Sequence, residues 1–93
     1  MTSNGKPLWR DAMIINELGL HARSAAKVAK AAQKARGQVW IETKDEPVDA
    51  KQVIDILTLG AVQGDQVRIA IETSDDLAVL EALADLFADG FGE

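Results

Sequence analysis

The stretch Asn16-Glu17-Leu18-Gly19-Leu20-His21-Ala22-Arg23-Ser24-Ala25-Ala26 predicts the change from a loop to a helix, and it contains the only histidine of the chain. Residues 22–36 are rich in alanine and contain neither glycine nor proline, which favours a helix. Gly19 precedes this helix, so His21 is expected at or beside its N-cap. The first backbone N–H groups of a helix lack partners, and the positive end of the helix dipole points outward there. The position of His21 therefore predicts an anion site.

This position also determines the chemistry expected of His21. The helix dipole and the neighbouring Arg23 both disfavour an imidazolium, so we expect a neutral ring at pH 7. A neutral imidazole is a nucleophile, and the N–H groups of Ala22, Arg23 and Ser24 could hold the dianion formed when the ring accepts a phosphoryl group. The stretch therefore indicates phosphoryl transfer through a phosphohistidine.

Three other interpretations of His21 stay open from the residues alone. The ring could be a surface side chain that caps the helix poorly, a buried side chain with a backbone partner, or a metal ligand. Metal binding is the weakest of these, because the chain has no cysteine and no second histidine, and only carboxylates could complete a site. We therefore predict no metal site.

Length and composition predict a single domain. The 93 residues are 47% hydrophobic and 27% charged, which is enough for one core and too little for two. The chain has no cysteine, residues 1–7 lack the apolar run of a signal peptide, and no segment could span a membrane. We expect a cytoplasmic protein without membrane insertion. Its predicted parts are a flexible N-terminal extension at 1–7, a domain at 8–90 and a frayed C-terminus at 91–93.

The charges are unevenly distributed along the chain. The net charge is −5, but residues 18–41 hold five basic and no acidic side chains, whereas residues 42–93 hold three basic and 13 acidic ones. An acidic chain argues against nucleic-acid binding, which needs a basic surface over most of the contact. The row of basic side chains in the first helix is typical of a solvated face, but it begins beside His21 and also favours an acidic protein partner. The row consists of Arg23, Lys27, Lys30 and Lys34.

The pattern of apolar residues predicts the element order β-α-β-β-α-β-α, which is typical of a two-layer α+β domain. Strands are predicted at 9–15, at 38–42, around Val48 and at 66–72. The first helix is expected to end at Gly37, and Asp49 is expected to N-cap the second. This pattern does not determine the strand order, and its first six elements also fit a ferredoxin-like arrangement.

The second helix carries more apolar surface than one core-facing stripe needs. Either this helix is wedged between other elements, or part of its surface is exposed for protein contact, which we favour. The apolar side chains are Val53, Ile54, Ile56, Leu57 and Leu59.

The stretch Gly19-Leu20-His21-Ala22-Arg23-Ser24-Ala25 resembles the active-site motif Gly-Leu-His-Ala-Arg-Pro-Ala of the HPr family. These are the histidine phosphocarriers of the bacterial PEP-dependent phosphotransferase system. The later segment Lys51-Gln52-Val53-Ile54…Leu57-Thr58-Leu59-Gly60 is also similar to HPr, and the resemblance covers roughly residues 8–90. One position of the motif differs, because Ser24 stands where the family has proline.

This resemblance implies that His21 carries a phosphoryl group on Nδ1, with Arg23 steadying the phosphate. Enzyme I would be the donor of this group and an EIIA domain its acceptor. The chain would then be a phosphoryl carrier without a cofactor rather than an enzyme, and we expect a monomer. The implied fold is an open-faced sandwich with antiparallel strands in the order 1-4-2-3 and three helices on one side. Ile56 and Leu59 would belong to the core. The resemblance also implies that Val53, Ile54 and Leu57 contribute to the partner surface. Together with the basic side of the first helix, the expected partner-binding residues are Ala26, Lys27, Lys30, Val53, Ile54 and Leu57.

Two further possibilities remain within and outside this family. The chain could be the nitrogen-branch paralogue, which carries phosphoryl groups for regulation rather than for sugar uptake, or a non-phosphorylated binding module of the same fold. Many Gram-positive members have a regulatory serine at the start of the second helix, and this position holds Gln52 here. We therefore expect that serine-based control to be missing.

Overall fold

The computed structural model describes residues 8–44 and 46–93. The elements are β1 (Trp9–Met13), α1 (Ala22–Ala32), β2 (Val39–Glu42), β3 (Val48–Asp49), α2 (Val53–Leu57), β4 (Gln66–Ile71) and α3 (Leu77–Ala88). Short 3-10 turns lie at Ser74–Asp76 and Gly90–Gly92. The element order is the predicted one. The extension predicted at residues 1–7 lies outside the described residues.

The four strands form one antiparallel sheet in the order β1-β4-β2-β3. The open-faced α+β fold implied by the resemblance, with its strand order 1-4-2-3, is thereby confirmed. In the central strand β4, Val67, Ile69 and Ile71 are buried. Gln66 and Arg68, which alternate with them, are exposed. This alternation leaves one face of the sheet in solvent and packs the other against the helices.

The core lies between the inner face of the sheet and the helices. Helix α1 contributes Val28, and α3 contributes a stripe at helical spacing that includes Leu83 and Phe87, all fully buried. On the outer face, Arg68 bonds to the Asp11 carboxylate and lies 4.0 Å from the centre of the Trp9 ring. The helices therefore cover only one side of the sheet. The N-terminus of α1 is exposed to solvent.

Helices α1 and α2 are shorter than predicted. Helix α1 ends at Ala32, and Gly37 lies beyond its end. The backbone N–H groups of Arg36 and Gly37 instead donate to the two carboxylate oxygens of Asp76, at 2.9 and 2.8 Å. Because these N–H groups bond to a distant carboxylate, the chain leaves the helical path.

The prediction that Asp49 is the N-cap residue of α2 is wrong. Asp49 belongs to β3, and its Oδ1 accepts a hydrogen bond from the Lys51 N–H at 2.9 Å. Helix α2 begins only at Val53, with Gln52 as the N-cap residue and without a capping side chain. The carboxylate of Asp49 forms a local turn rather than capping the helix.

The structure differs from the predicted fraying of residues 91–93. Phe91 is 1% exposed and packs edge-on against Phe87, with 4.9 Å between the ring centres. The Lys27 ammonium donates a hydrogen bond to the Phe91 carbonyl oxygen. Gly90 and Gly92 favour a loose tail, but burial of the aromatic ring between them orders the segment.

Asp76 provides a test of this packing, because it is 3% exposed and its pKa is held below the ordinary value by the hydrogen bonds from the Arg36 and Gly37 N–H groups. The ionised form is therefore favoured by folding. Its contribution to stability is complete above the pKa of the unfolded chain, about 3.9, and is lost as the pH falls through the lower folded value. We expect Asp76→Asn to lower the free energy of unfolding at pH 7, because an amide has only one accepting oxygen for the two donors.

The measurement is urea unfolding at pH 7 and at pH 3, with Asp75→Asn as the control. Asp75 is exposed and makes no hydrogen bond to the same N–H groups. The difference between Asp76→Asn and the unmodified chain should narrow at pH 3. Equal stabilities for the two variants at pH 7 would contradict the role given to Asp76.

Candidate functional site

His21 is the N-cap residue of α1, as the sequence predicts. Its backbone is extended, with φ −112° and ψ −176°, and its carbonyl oxygen accepts a 2.8 Å hydrogen bond from the Ala25 N–H. This bond is the first backbone hydrogen bond of helix α1. The imidazole is partly exposed, with 27% of the side-chain surface accessible, so a partner molecule can reach it.

The loop between β1 and α1, residues 14–21, is called the histidine loop here. Gly19 connects this loop to the segment that follows α2. Its φ is +66°, a left-handed conformation that favours glycine, and an added Cβ would lie 2.5 Å from the Ala61 carbonyl oxygen. The neighbouring Leu20 N–H donates to that same oxygen at 3.0 Å. No larger side chain fits here, so glycine is required by both its conformation and its contact.

The two ring nitrogens of His21 have different partners. Nδ1 accepts a hydrogen bond from the Arg23 N–H at 3.3 Å, whereas Nε2 contacts the Glu93 carboxylate. A neutral imidazole donates through one nitrogen and accepts through the other, and a carboxylate only accepts. These contacts assign the proton to Nε2 and the free electron pair to Nδ1. The nitrogen with the free electron pair is therefore the one that faces the start of α1.

Glu93 and Asn16 are site residues that the sequence analysis missed. The Asn16 side chain donates to the Glu93 carboxylate at 2.8 Å. The pKa of Glu93 is lowered, first by this hydrogen bond and then by its contact with His21. Glu93 lies 72 positions after His21, and no periodic pattern links residues so far apart. A C-terminal segment that is predicted to fray is also not expected to contribute a side chain to a site.

The side chain of Ser24 faces the interior rather than an external anion. It is fully buried, and its hydroxyl accepts from the His21 N–H and donates to the Gly19 carbonyl oxygen, both at 3.0 Å. The serine at this position thus bonds to the backbone of the histidine loop. Phosphate binding by the Ser24 backbone N–H stays a prediction.

Residues 9–89 match the family model described as the PTS HPr component phosphorylation site. The chain belongs to the HPr family. The phosphocarrier protein HPr of Cupriavidus necator is 38% identical over 86 residues, which cover 92% of this chain and 97% of the relative. A Haemophilus influenzae multiphosphoryl transfer protein is 34% identical over 83 residues, which are 86% of this chain and 17% of the longer protein.

Solved HPr structures have the same fold. The crystal structure of HPr-C-His from Thermoanaerobacter tengcongensis superposes with a TM-score of 0.85 at 38% sequence identity. The match covers 91% of this chain and 96% of the other. The fold and the family implied by the resemblance are therefore both confirmed.

The other residues expected to bind phosphate lie at the N-terminus of α1. Ala22 and Arg23 are exposed in its first turn. The Arg23 guanidinium makes no ion pair within residues 8–44 and 46–93. It can therefore turn toward an anion at the N-terminus of α1.

The expected partner surface is divided between the helices. Ala26, Lys27 and Lys30 are exposed on α1, and the two lysines border a groove between α1 and α3. In α2, Ile54 is 72% exposed, whereas Ile56 is fully buried. Val53, Leu57 and Leu59 are half-buried, so Leu59 is less buried than expected.

Among residues 8–44 and 46–93, no group of three or more histidine, cysteine, aspartate or glutamate side chains is placed to hold a metal ion. No helix in this described part of the chain is long and apolar enough to cross a membrane.

The role of Ser24 can be tested with Ser24→Ala and Ser24→Pro. Both variants lose the two hydroxyl bonds, and we expect Ser24→Ala to lower the free energy of unfolding by about 0.5–2 kcal/mol, as for the loss of a helix cap. Proline is tolerated in the first turn and stiffens the unfolded chain, so Ser24→Pro should be more stable than Ser24→Ala by about 0.4–1 kcal/mol.

Urea unfolding at pH 7 measures both differences. Ser74→Ala serves as the control, because Ser74 is an exposed serine in the short 3-10 turn before α3. An alanine variant as stable as the unmodified chain would show that the buried hydroxyl does not hold the loop.

Proposed function

We propose that this chain is a phosphocarrier that accepts a phosphoryl group from PEP-phosphorylated enzyme I on Nδ1 of His21 and passes it to EIIA domains for sugar uptake. The observation that carries the proposal is the accepting nitrogen at the N-cap of an 11-residue helix. Membership of the HPr family supports it. The carrier needs no cofactor of its own because the donor is itself a phosphorylated protein, and we expect the exchange in the cytoplasm.

The position of Nδ1 suits an attack on phosphorus. Its electron pair points toward the first turn of α1, where the Arg23 N–H already approaches it at 3.3 Å. A phosphoryl group on Nδ1 would bring its negative oxygens to the backbone N–H groups of the first turn and the positive dipole end of the helix. The exposed Arg23 guanidinium can add charge-assisted hydrogen bonds to the same oxygens. The first turn therefore stabilises charge where the transfer creates it.

The proposed partners would dock around this histidine. The exposed Ile54 offers an apolar contact, and the exposed Lys30 offers a positive charge to an acidic partner. Lys27 is less free, because its ammonium already bonds to the Phe91 carbonyl. The multiphosphoryl transfer protein is a precedent for an HPr-like segment within a protein named for phosphoryl transfer.

The direct test is incubation of the purified chain with PEP and enzyme I. We expect one phosphoryl group, labile in acid and stable in alkali as an N-linked phosphate, because one nucleophilic imidazole is present. His21→Ala should abolish the modification, and Gln38→Ala, an exposed change in another loop, should leave it intact. Mass spectrometry before and after acid treatment measures the outcome. Modification that persists in His21→Ala would exclude His21 as the acceptor.

The partner surface is tested by comparing Ile54→Glu with Ile56→Glu. Ile54 is 72% exposed, so its replacement should change the free energy of unfolding by less than about 0.5 kcal/mol. Because a docking contact would be lost, the KM of phosphorylated enzyme I for this chain should rise about tenfold. Ile56 is fully buried, so a glutamate there should unfold the domain. Circular dichroism and the rate of phosphorylation give the two readouts. An unchanged KM in folded Ile54→Glu would place the docking surface elsewhere.

A further inference from the structure

The Glu93 carboxylate bridges two donors beside the reactive histidine. One oxygen, Oε2, faces Nε2 of His21, and the other, Oε1, accepts from the Asn16 side chain at 2.8 Å. Each donor thus has an oxygen of its own. A glutamine at this position would have one accepting oxygen and one donating NH₂ group, so one of the two donors would lose its partner.

The segment before Glu93 has a conformation that brings the carboxylate to the ring. Gly90, Phe91 and Gly92 all have positive φ angles, of 60°, 60° and 73°. This left-handed conformation is unfavourable for phenylalanine. It is maintained because the Phe91 ring is 1% exposed and packs against Phe87. Burial of the ring therefore fixes the turn that follows α3.

Two polar contacts hold the same segment in place. The buried Asn16 donates from Nδ2 both to the Gly19 carbonyl oxygen, at 2.9 Å, and to Glu93, so both of its amide hydrogens are used. From the other side, the Lys27 ammonium bonds to the Phe91 carbonyl. The carboxylate is thus placed by the histidine loop and by α1, which also position the ring.

On the basis of the phosphocarrier function proposed above, we propose that Glu93 is a positioning residue for phosphoryl transfer, which holds the Nε2–H of His21 and stabilises the positive charge that the ring gains on phosphorylation. In this step the Nδ1 electron pair forms the bond to phosphorus. The bond between phosphorus and the donor breaks, and its electron pair stays with the donor. Nε2 keeps its proton, so the phosphorylated ring is cationic and its N–H lies against the carboxylate.

Glu93 does not obstruct the reacting nitrogen. Nδ1 and Nε2 point away from each other across the imidazole ring, and the contacts of Nδ1 and Nε2 lie on separate elements, α1 and the 90–93 segment. The phosphoryl group and the carboxylate would therefore occupy different edges of the ring. The contact with Glu93 can persist through the transfer.

The test compares Glu93→Gln with Glu17→Gln in the full chain. Both glutamates line the same pocket, but Glu17 makes no hydrogen bond to His21, so the pair separates loss of the ring contact from loss of charge. We expect Glu93→Gln to slow phosphorylation by enzyme I about tenfold or more, the equivalent of one charge-assisted hydrogen bond. Glu17→Gln should react at the unmodified rate.

A spectroscopic readout tests the contact without any phosphorylation. In ¹⁵N-labelled chain, the Nε2–H proton of His21 should give a slowly exchanging, downfield NMR signal that is retained in Glu17→Gln and lost in Glu93→Gln and Glu93→Ala. Retention of this signal in the Glu93 variants, or phosphorylation of these variants at the unmodified rate, would overturn the inference.

The two proposals fail in distinguishable ways. If the unmodified chain is not phosphorylated at all, the carrier function itself fails, and the inference that rests on it fails too. If the unmodified chain and Glu93→Gln are phosphorylated equally fast, only the role of Glu93 is lost. Thermal unfolding of Glu93→Gln should remain close to that of Glu17→Gln, because the Phe91 anchor is unchanged.

Discussion

The hydrogen bond from the Ala25 N–H to the His21 carbonyl is the interaction on which the site depends. It makes His21 the N-cap and fixes its backbone at the open end of α1. The Ser24 hydroxyl holds the same residue by accepting from the His21 N–H. Only the ring remains to be oriented, and its two nitrogens have separate partners, the Arg23 N–H and the Glu93 carboxylate. If the N-cap were lost, neither partner would face its nitrogen.

The N-cap depends in turn on the close approach of Gly19 to Ala61, which connects the histidine loop to the segment after α2. Since Leu20 is 7% exposed and its N–H bonds to the Ala61 carbonyl, the residue before the histidine is held by both packing and a hydrogen bond. His21 therefore directly follows a residue that is anchored in the core. Such support keeps a reactive side chain in position while leaving it exposed.

Local patterns predicted much of this fold, and contacts between distant residues account for what they missed. Alternation in β4 shows which face is buried, but not which strand lies beside it, so the order 1-4-2-3 came from the family resemblance. The N-cap position of His21 was predictable because alanine-rich helices and preceding glycines act over a few residues. The contacts of Asp76 with Arg36 and of Glu93 with His21 join residues 40 and 72 positions apart. No local pattern encodes them.

The charges around His21 fit the phosphorylated ring better than the free one. Two electrostatic influences act on the ring: the positive end of α1 and Arg23 lie at its Nδ1 edge, and the Glu93 carboxylate lies at its Nε2 edge. On phosphorylation as proposed, the negative oxygens would face the positive end of α1, and the cationic Nε2–H would face Glu93. Both influences would then favour the same state, so opposite charges at the two edges of one ring would stabilise the proposed phosphohistidine.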